Sequence, residues 1–310
     1  MAERELSLIN AAVKADPVSF IAECERAYRE KIDTAVRYIE ENHKKVVLLA
    51  GPSGSGKTTT ANLIADTLRA KGYYATVISL DNYYHNKADH LYPLTASGEE
   101  DYENPYALWI DGIRATILDI LDGGLISLPR FDFKTGVRHD NAVVLDVPEN
   151  GVVIIEGLHA LNPIMTEGIV SDAVMRLFVS VSTNIINAGA RVLSGRRMRF
   201  IRRTSRDYLY RNSDATRTLS LWKRVLEGEE LYLYPYRDLA DIQFDTFHGF
   251  EVAALKPFAA KILAEGENLG EYVDGIKEAL ALFAEISADF VPQDSLIREF
   301  IPGGIYEHLY

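Results

Sequence analysis

Residues 47–63 read VLLAGPSGSGKTTTANL, and this stretch constrains the fold more than any other part of the chain. Within it, Gly51 to Thr58 fits the pattern G-x-x-x-x-G-K-[ST] in full, with an apolar run before it and a helix-forming segment after it. Glycines allow backbone N–H groups to turn inward around phosphate oxygens, and the start of a helix adds partial positive charge. We therefore interpret the stretch as a polyphosphate-binding loop rather than a Gly/Ser-rich turn with an accidental lysine.

The loop predicts ATP and Mg²⁺ as the cofactors. Lys57 is expected to bridge the β- and γ-phosphates, and the hydroxyl of Thr58 is expected to bind Mg²⁺. The residues predicted to contact the nucleotide are Gly51, Ser53, Gly54, Ser55, Gly56, Lys57, Thr58 and Thr59.

Short apolar runs alternate with amphipathic segments from Lys45 onward. The runs predicted as strands are 46–50, 74–80, 152–157, 175–182 and 240–246. Runs of this length, rich in Val and Ile and separated by helical patterns, are typical of buried parallel strands. The pattern predicts an α/β fold, a three-layer sandwich of the P-loop NTPase type with a mostly parallel, doubly wound sheet.

Helical spacing of apolar residues marks both ends of the chain. Residues 1–44 predict two helices, the second from about Val18 to Asn42, and a helical pattern resumes near residue 251. The predicted organisation is an N-terminal helical extension over 1–44, a core over 45–250 and a C-terminal helical extension over 251–310.

Composition excludes several classes of protein. A net charge of −12 argues against general affinity for nucleic acid or anionic lipid. The single cysteine, Cys24, rules out a disulfide framework and a cysteine-based zinc site. The acidic N-terminus does not resemble a signal peptide, and no apolar stretch approaches the roughly 20 residues of a membrane span. We expect a soluble, cytoplasmic protein.

Two carboxylates follow predicted strands, where α/β proteins place their chemistry. Asp81 follows strand 74–80, and Glu156 ends the apolar run of 152–155. One can hold Mg²⁺, directly or through water, and the other can accept a proton from a hydroxyl. Taken singly, Asp81 could be a turn residue and Glu156 a carboxylate paired with a base. Together with the loop they favour a catalytic interpretation.

The segment 191–217 holds nine arginines and only two acidic residues in an otherwise acidic protein. A solvated basic helix or a nucleic-acid patch would also explain such a cluster. We favour a lid that closes over phosphates, because the planar guanidinium pairs with phosphoryl oxygens and stays charged.

Residues 86–89, NKAD, match the guanine-reading motif of GTPases. That motif closes a strand far downstream of the phosphate loop, whereas this one lies about thirty residues after Gly56 in a polar loop. The match is interpreted as coincidence.

Further motifs, in this order, resemble the phosphoribulokinase/uridine kinase family over residues 45–250. They are LDNYY (80–84), DYENPYAL (101–108), LPRFDFKTGVR (128–138), VVIIEGLHAL (152–161), RRTSRD (202–207) and YLYPYRDLADIQFDT (232–246). The resemblance implies transfer of the ATP γ-phosphate to a primary hydroxyl, which in uridine kinases is the 5′-hydroxyl of a nucleoside.

The resemblance also implies roles for single residues. Asp81 falls on the general base, which can also touch the metal through water, and Glu156 falls on the Mg²⁺-linked acid. Glu103 stands where uridine kinases use an aspartate for the ribose hydroxyls. Arg203 and Arg206 match catalytic arginines of the lid.

The remaining residues predicted to contact the acceptor lie in three of these motifs. Arg202 and Arg211 extend the arginine set, and Tyr84 and Phe133 match aromatic walls of the acceptor pocket. Arg138 matches the arginine that ends the family's Y-D-F-x-x-H-S-R pattern.

The chain departs from pyrimidine nucleoside kinases where those enzymes read the base. The tyrosine of the Y-D-F-x-x-H-S-R pattern is Phe131 and the histidine is Gly136, while a base-reading glutamine aligns with Arg217. Losing hydrogen-bonding groups at such a site normally costs ~10²-fold or more in discrimination. The identity of the base therefore stays open at this stage.

Three hypotheses follow. The first is a Mg·ATP-dependent nucleoside kinase with uridine or cytidine as the default acceptor. The second is a kinase for a sugar phosphate or another small anion, suggested by Arg217 and Lys134. The third is a nucleotide-sensing protein, suggested by the long helical flanks, which could equally pack on the sheet or form a homo-oligomer interface.

Overall fold

The computed structural model describes residues 2–266 and 269–309. The strands in these ranges are β1 Glu3–Glu5, β2 Val46–Ala50, β3 Tyr74–Ser79, β4 Gly124–Asp132, β5 Val137–Val147, β6 Gly151–Glu156, β7 Val174–Ser180, β8 Asn184–Asn187, β9 Ala190–Leu193 and β10 Ile242–Asp245. The α-helices are α1 Leu6–Ala15, α2 Pro17–Glu41, α3 Lys57–Ala70, α4 Ile110–Asp122, α5 Gly195–Tyr210, α6 Ala215–Tyr232, α7 Glu251–Glu265 and α8 Gly270–Ala281. Of the helices in these ranges, none combines the length and apolarity needed to cross a bilayer.

Five parallel strands form the central sheet, in the order β10-β7-β2-β6-β3. Strand β2 lies in the middle, and all five of its residues are buried. Strands that are covered on both faces need a continuous apolar sequence. This explains why the five strands could be predicted from apolar runs in the sequence. The five predicted strands are confirmed with ends within two residues, and so is the α/β fold class.

Alternate residues of β2 enter two different hydrophobic cores. Val47 and Leu49 join a core with α3, whereas Val46 and Leu48 join a core with α4 on the opposite face. This alternation follows from the period of two in a strand. It produces the three layers of helix, sheet and helix.

The N-terminal extension packs on the α3 face of the sheet. Its second helix, α2, begins at Pro17 after Asp16, whose carboxylate accepts a hydrogen bond from the Ser19 backbone N–H at 3.0 Å. An Asp cap followed by proline at the first helical position is a strong helix start. The predicted second helix is confirmed, and it buries Ile32 completely.

The C-terminal extension joins the same core. Helices α7 and α8 are followed by a short turn, Leu296–Glu299, and by Phe300, which is fully buried. Residues of both extensions and of the central sheet therefore share one hydrophobic core.

Two antiparallel hairpins were missed by the sequence analysis. Strands β4 and β5 pair as a two-stranded ribbon, and β8 and β9 pair beside β1 in a three-stranded sheet. Most of β5 is solvent-exposed, and charged residues surround its one short apolar run, 142–145, so neither a buried run nor a clean alternation marks the strand. The register of β4 shifts between Leu128 and Arg130, where Pro129 cannot donate to the ladder.

Candidate active site

The phosphate-loop sequence lies between the end of β2 and the start of α3 at Lys57. Gly54 and Gly56 have φ angles of 72° and 81°, which side chains of L-residues rarely adopt. A Cβ on Gly56 would lie 2.6 Å from Cδ1 of Leu296, and one on Gly54 would lie 2.7 Å from the carbonyl oxygen of Arg199. The strand, loop and helix context predicted from the sequence is confirmed.

Polar side chains of the loop point to an anionic ligand. Burial lowers the pKa of Lys57, while the nearby Glu156 carboxylate acts in the opposite direction. The Lys57 ammonium lies 3.3 Å from the carbonyl oxygen of Pro52, and the buried Ser55 hydroxyl has no hydrogen-bond partner. A cation and an orphaned hydroxyl at a helix start fit a bound phosphate.

Three consecutive threonines at the start of α3 make three different contacts. Thr58 Oγ1 lies 3.5 Å from Glu156 Oε1, on the side of the strand ends. Thr59 donates to Glu299 Oε2 at 2.8 Å, and the hydroxyls of Thr60 and Tyr28 are 2.7 Å apart. Glu299 therefore engages the side chain of Thr59, a residue that the sequence predicts to contact the nucleotide.

Asp81 and Glu156 lie at neighbouring strand ends. Ser79, the last residue of β3, is the register partner of Glu156 in β6, and Asp81 follows in the turn Leu80–Tyr83. Asp81 is exposed, whereas Glu156 is 6% exposed. Burial raises the pKa of Glu156 to about 7, and the charge of Lys57 opposes this shift.

This arrangement fits a magnesium ion shared with a nucleotide. Among the described residues, no group of three His, Cys, Asp or Glu side chains could hold a metal by itself. Mg²⁺ in nucleotide sites is usually held by one or two carboxylates, with phosphates and waters completing its shell. Thr58 and the buried Glu156, together with Asp81, provide such a partial ligand set.

Helix α5 carries most of the arginine-rich segment and packs against the loop. Arg203 Nη1 donates to Ser53 Oγ at 2.8 Å. Arg206 forms ion pairs with Asp207 at 3.2 Å and with Glu299 at 3.5 Å. The structure therefore brings Arg203 into contact with the phosphate loop, and it brings Arg206 close enough for its charge to lower the pKa of Lys57.

Arg211 follows α5 and is 48% exposed on its side chain. The charge of Arg206 and burial together lower the pKa of Arg211 to about 10. A second cation close enough to depress a guanidinium pKa indicates a locally positive region.

Arg202 does not occupy the predicted acceptor position. It is fully buried, its guanidinium pairs with Glu251, and it donates to the carbonyl oxygens of Gly54 and Thr246. Its planar fork braces the back of the loop, so the prediction that Arg202 contacts substrate is wrong. Arg217 is exposed in the first turn of α6, where Asp214 caps its backbone N–H.

Aromatic rings cluster around Tyr84, which lies within electrostatic reach of Asp81 and Glu103. The ring centroid of Tyr84 is 5.6 Å from that of Phe131 and 6.2 Å from that of Phe133. Phe131 is buried and Phe133 is 61% exposed. The Arg138 guanidinium stacks 4.4 Å from the Trp109 ring and donates to the carbonyl oxygen of Tyr84. The structure thus brings Tyr84, Phe131, Phe133 and Arg138 together.

Glu103 lies between this aromatic group and α5. Burial raises the pKa of its carboxyl to about 7, the Arg203 charge lowers it, and Asp81 is among the acids that raise it. A cavity of about 850 Å³ borders Glu103 and Arg203 and continues between residues 94–104 and α6. This volume is within the ~300–1,000 Å³ of small-molecule sites.

A buried ion pair that the sequence analysis missed holds Ser53. Glu229 Oε1 accepts from the Ser53 backbone N–H at 2.8 Å, and Arg199 Nη1 donates to the Ser53 carbonyl oxygen at 2.9 Å. Arg199 and Glu229 also pair with each other at 2.7 Å and are at most 2% exposed. A sequence signal existed, because Glu229 shares the apolar helix face of Trp222 and Val225 at helical spacing.

Known proteins resemble this chain over its central part. The family described as "Phosphoribulokinase / Uridine kinase family" matches residues 46–253. A uridine kinase from Halobacterium salinarum is 28% identical over 71% of this chain and 88% of its own length. A uridine kinase from Deinococcus deserti is 27% identical over 70% of this chain and 94% of its own length.

A solved structure shows the same fold. It is described as a putative fructose transport system kinase from Silicibacter sp. TM1040 and superposes with a TM-score of 0.50 at 19% identity. The match covers 69% of this chain and 98% of that chain.

Proposed function

Because the chain belongs to the phosphoribulokinase/uridine kinase family, we propose that it transfers the γ-phosphate of ATP to the 5′-hydroxyl of a nucleoside, with uridine or cytidine as the default acceptor. One observation carries the proposal. The exposed carboxylate of Asp81 follows the strand next to Glu156, within electrostatic reach of Lys57. A base beside a phosphate loop is what phosphoryl transfer to an alcohol requires.

The chemistry assigned to this chain is a proton transfer coupled to a displacement. Asp81 accepts the proton of the acceptor hydroxyl, and the alcohol oxygen bonds to the γ-phosphorus. The bond from that phosphorus to the β,γ-bridging oxygen breaks, and ADP leaves. Lys57, Arg203 and Arg206 stabilise the negative charge on the transferred group.

The proposed metal ligands are Thr58, Asp81 and Glu156. Bound Mg²⁺ supplies charge neutralisation and orientation of the phosphate oxygens. Thr58 would ligate the ion directly, and Glu156 and Asp81 would hold its waters.

Acceptor binding is assigned to Glu103 and the aromatic group. A carboxylate accepts two hydrogen bonds from vicinal hydroxyls, and Glu103 lines the cavity together with Arg203. The rings of Tyr84, Phe131 and Phe133 offer faces and edges to a planar base. A cytoplasmic location and a homo-oligomer are also proposed from the sequence.

A coupled ADP-release assay with Mg·ATP and a panel of nucleosides tests this proposal. We expect ADP release only with a nucleoside present, and the product to carry a 5′-phosphate by NMR. A panel silent with every nucleoside would contradict it. If the protein binds Mg·ATP tightly but releases no ADP with any acceptor, the result would instead support a nucleotide sensor.

A second candidate is a kinase for a sugar phosphate or another small anion. The exposed Arg211 supports it, because Arg206 lowers its pKa and an anionic acceptor would relieve that repulsion. The same panel, extended with pentose phosphates, separates the candidates. Turnover restricted to the phosphorylated sugars would favour this alternative.

A further inference from the structure

The C-terminal segment, residues 292–301, lies outside the family match of 46–253. It is firmly anchored in the core, because Leu296, Ile297 and Phe300 are fully buried. Asp294 also pairs with Arg29 of α2 at 2.6 Å. The segment is therefore a fixed part of the fold that the matched region does not contain.

This segment contacts the proposed nucleotide site at the phosphate loop and at the first turn of α3. Cδ1 of Leu296 lies 2.6 Å from the position that a Cβ on Gly56 would take, so the two residues are in close contact. Glu299 accepts from the Thr59 hydroxyl at 2.8 Å and lies 3.5 Å from Arg206 Nη1. Thr59 and Arg206, which Glu299 contacts here, both belong to the proposed nucleotide site.

The contacts of Glu299 matter because its carboxylate is buried. Glu299 is 3% exposed, and a carboxylate removed from water needs charged or hydrogen-bonding partners. Arg206 is held between Asp207, which faces Nε and Nη2, and Glu299, which faces Nη1. A long arginine side chain held on two sides loses rotamer freedom before any ligand binds.

We propose that Glu299 is a positioning residue of the nucleotide site. It orients Arg206 toward the terminal phosphate and fixes the side chain of Thr59, so the C-terminal segment completes the site. This inference rests on the proposed role of Arg206 in the function above. The alternative is that the Glu299 charge merely repels phosphate, and it predicts the opposite change in affinity.

Titration calorimetry of the full-length chain with Mg·ADP and with a non-hydrolysable Mg·ATP analogue tests the proposal. For Glu299→Gln we expect binding of the ATP analogue to weaken about tenfold, while ADP binding changes less than about twofold, because a charged contact to the terminal phosphate is lost. Equal changes for both ligands, or tighter binding of the analogue, would overturn the proposal. Asp294→Asn is the matched control in the same segment, and we expect neither affinity to move.

Glu299→Asp provides a second variant, which keeps a carboxylate in the buried site. Its side chain is one methylene shorter, so the carboxylate is drawn back from Arg206. If Glu299 positions Arg206, this variant should also bind the ATP analogue more weakly, with little change in ADP binding. An unchanged preference for the analogue over ADP would overturn the proposal. Because these measurements need no acceptor, a silent nucleoside panel would count against the proposed function and not against this inference.

Discussion

Asp81 and Glu156 carry the same functional group in different surroundings. Asp81 is exposed in a turn, where its carboxylate can meet an incoming hydroxyl. Glu156 is nearly fully buried, and burial raises its pKa to about 7. The exposed Asp81 is therefore suited to the proposed role of base. The buried Glu156 is suited to the proposed metal-linked role, since a cation would offset the cost of burying the charge of its carboxylate.

The proposed role of Asp81 as a base leads to a prediction. Asp81→Asn should cut turnover by about 10²-fold or more, because the amide cannot accept the proton. Steady-state kinetics measure turnover, and calorimetry should show Mg·ATP affinity largely unchanged. Asp89→Asn, an exposed residue of the same loop region, serves as control. Near-normal turnover of Asp81→Asn would refute the base assignment.

Glu103 should make acceptor binding depend on pH. Burial raises its pKa to about 7, so the carboxylate is ionised above that pH and protonated below it. Only the ionised form accepts two hydroxyl hydrogen bonds. At saturating Mg·ATP, the acceptor kcat/KM should therefore fall about fivefold to tenfold between pH 8 and pH 6.

The matched variant for this profile is Glu103→Gln, which has no titrating group. It should show a low kcat/KM without the step near pH 7, because at saturating Mg·ATP the proposed metal site would keep Glu156, whose pKa burial also raises to about 7, ionised. The proposed role of Glu103 in acceptor binding would be wrong if the kcat/KM of the wild type did not change with pH, or if Glu103→Gln kept the step near pH 7.

Helices α5 and α6 act as one element that clamps the phosphate loop through Arg199, Glu229 and Ser53. Removing one member of a buried ion pair leaves an uncompensated charge, which costs about 3–5 kcal/mol. We therefore expect Glu229→Ala to lower the free energy of unfolding by about that amount and to weaken Mg·ATP binding.

The neighbouring residue supplies the control for this element. Glu230 pairs with Arg196 between the same two helices, but both side chains are more than half exposed. Glu230→Ala should cost less than about 1 kcal/mol in denaturant unfolding. Similar losses for both variants would show that the clamp has no special role.

If the shared hydrophobic core makes unfolding cooperative, the whole chain should unfold in a single transition. Ile32 of the N-terminal extension is fully buried in the same core as β2 and Phe300. Ile32→Ala should cost about 2–5 kcal/mol and shift a single unfolding transition, which Mg·ATP should also shift. Leu8→Ala, 70% exposed, should stay within about 0.5 kcal/mol. Two separate transitions in calorimetry would show that the extension folds independently.

The local sequence pattern was sufficient to predict much of the fold of this protein. The loop from Gly51 to Thr58 was recognisable because its glycines and lysine are adjacent in sequence. The five central strands were recognisable because burial on both faces leaves an apolar run. The ribbon of β4 and β5 mixes apolar and charged residues because β5 is mostly exposed, and it was missed.

Tertiary structure alone assigned the arginines of 191–217 to different tasks. Arg199, Arg202 and Arg206 recur at helical spacing, so a shared helix face was foreseeable. Their partners Glu229, Glu251 and Glu299 lie 30 to 93 residues later in the chain. Whether a guanidinium faces a ligand or a buried carboxylate depends on which distant segment packs beside it. Periodicity within one helix carries no information about that packing, so only the folded chain distinguishes Arg202, which braces the loop, from Arg203, which reaches its surface.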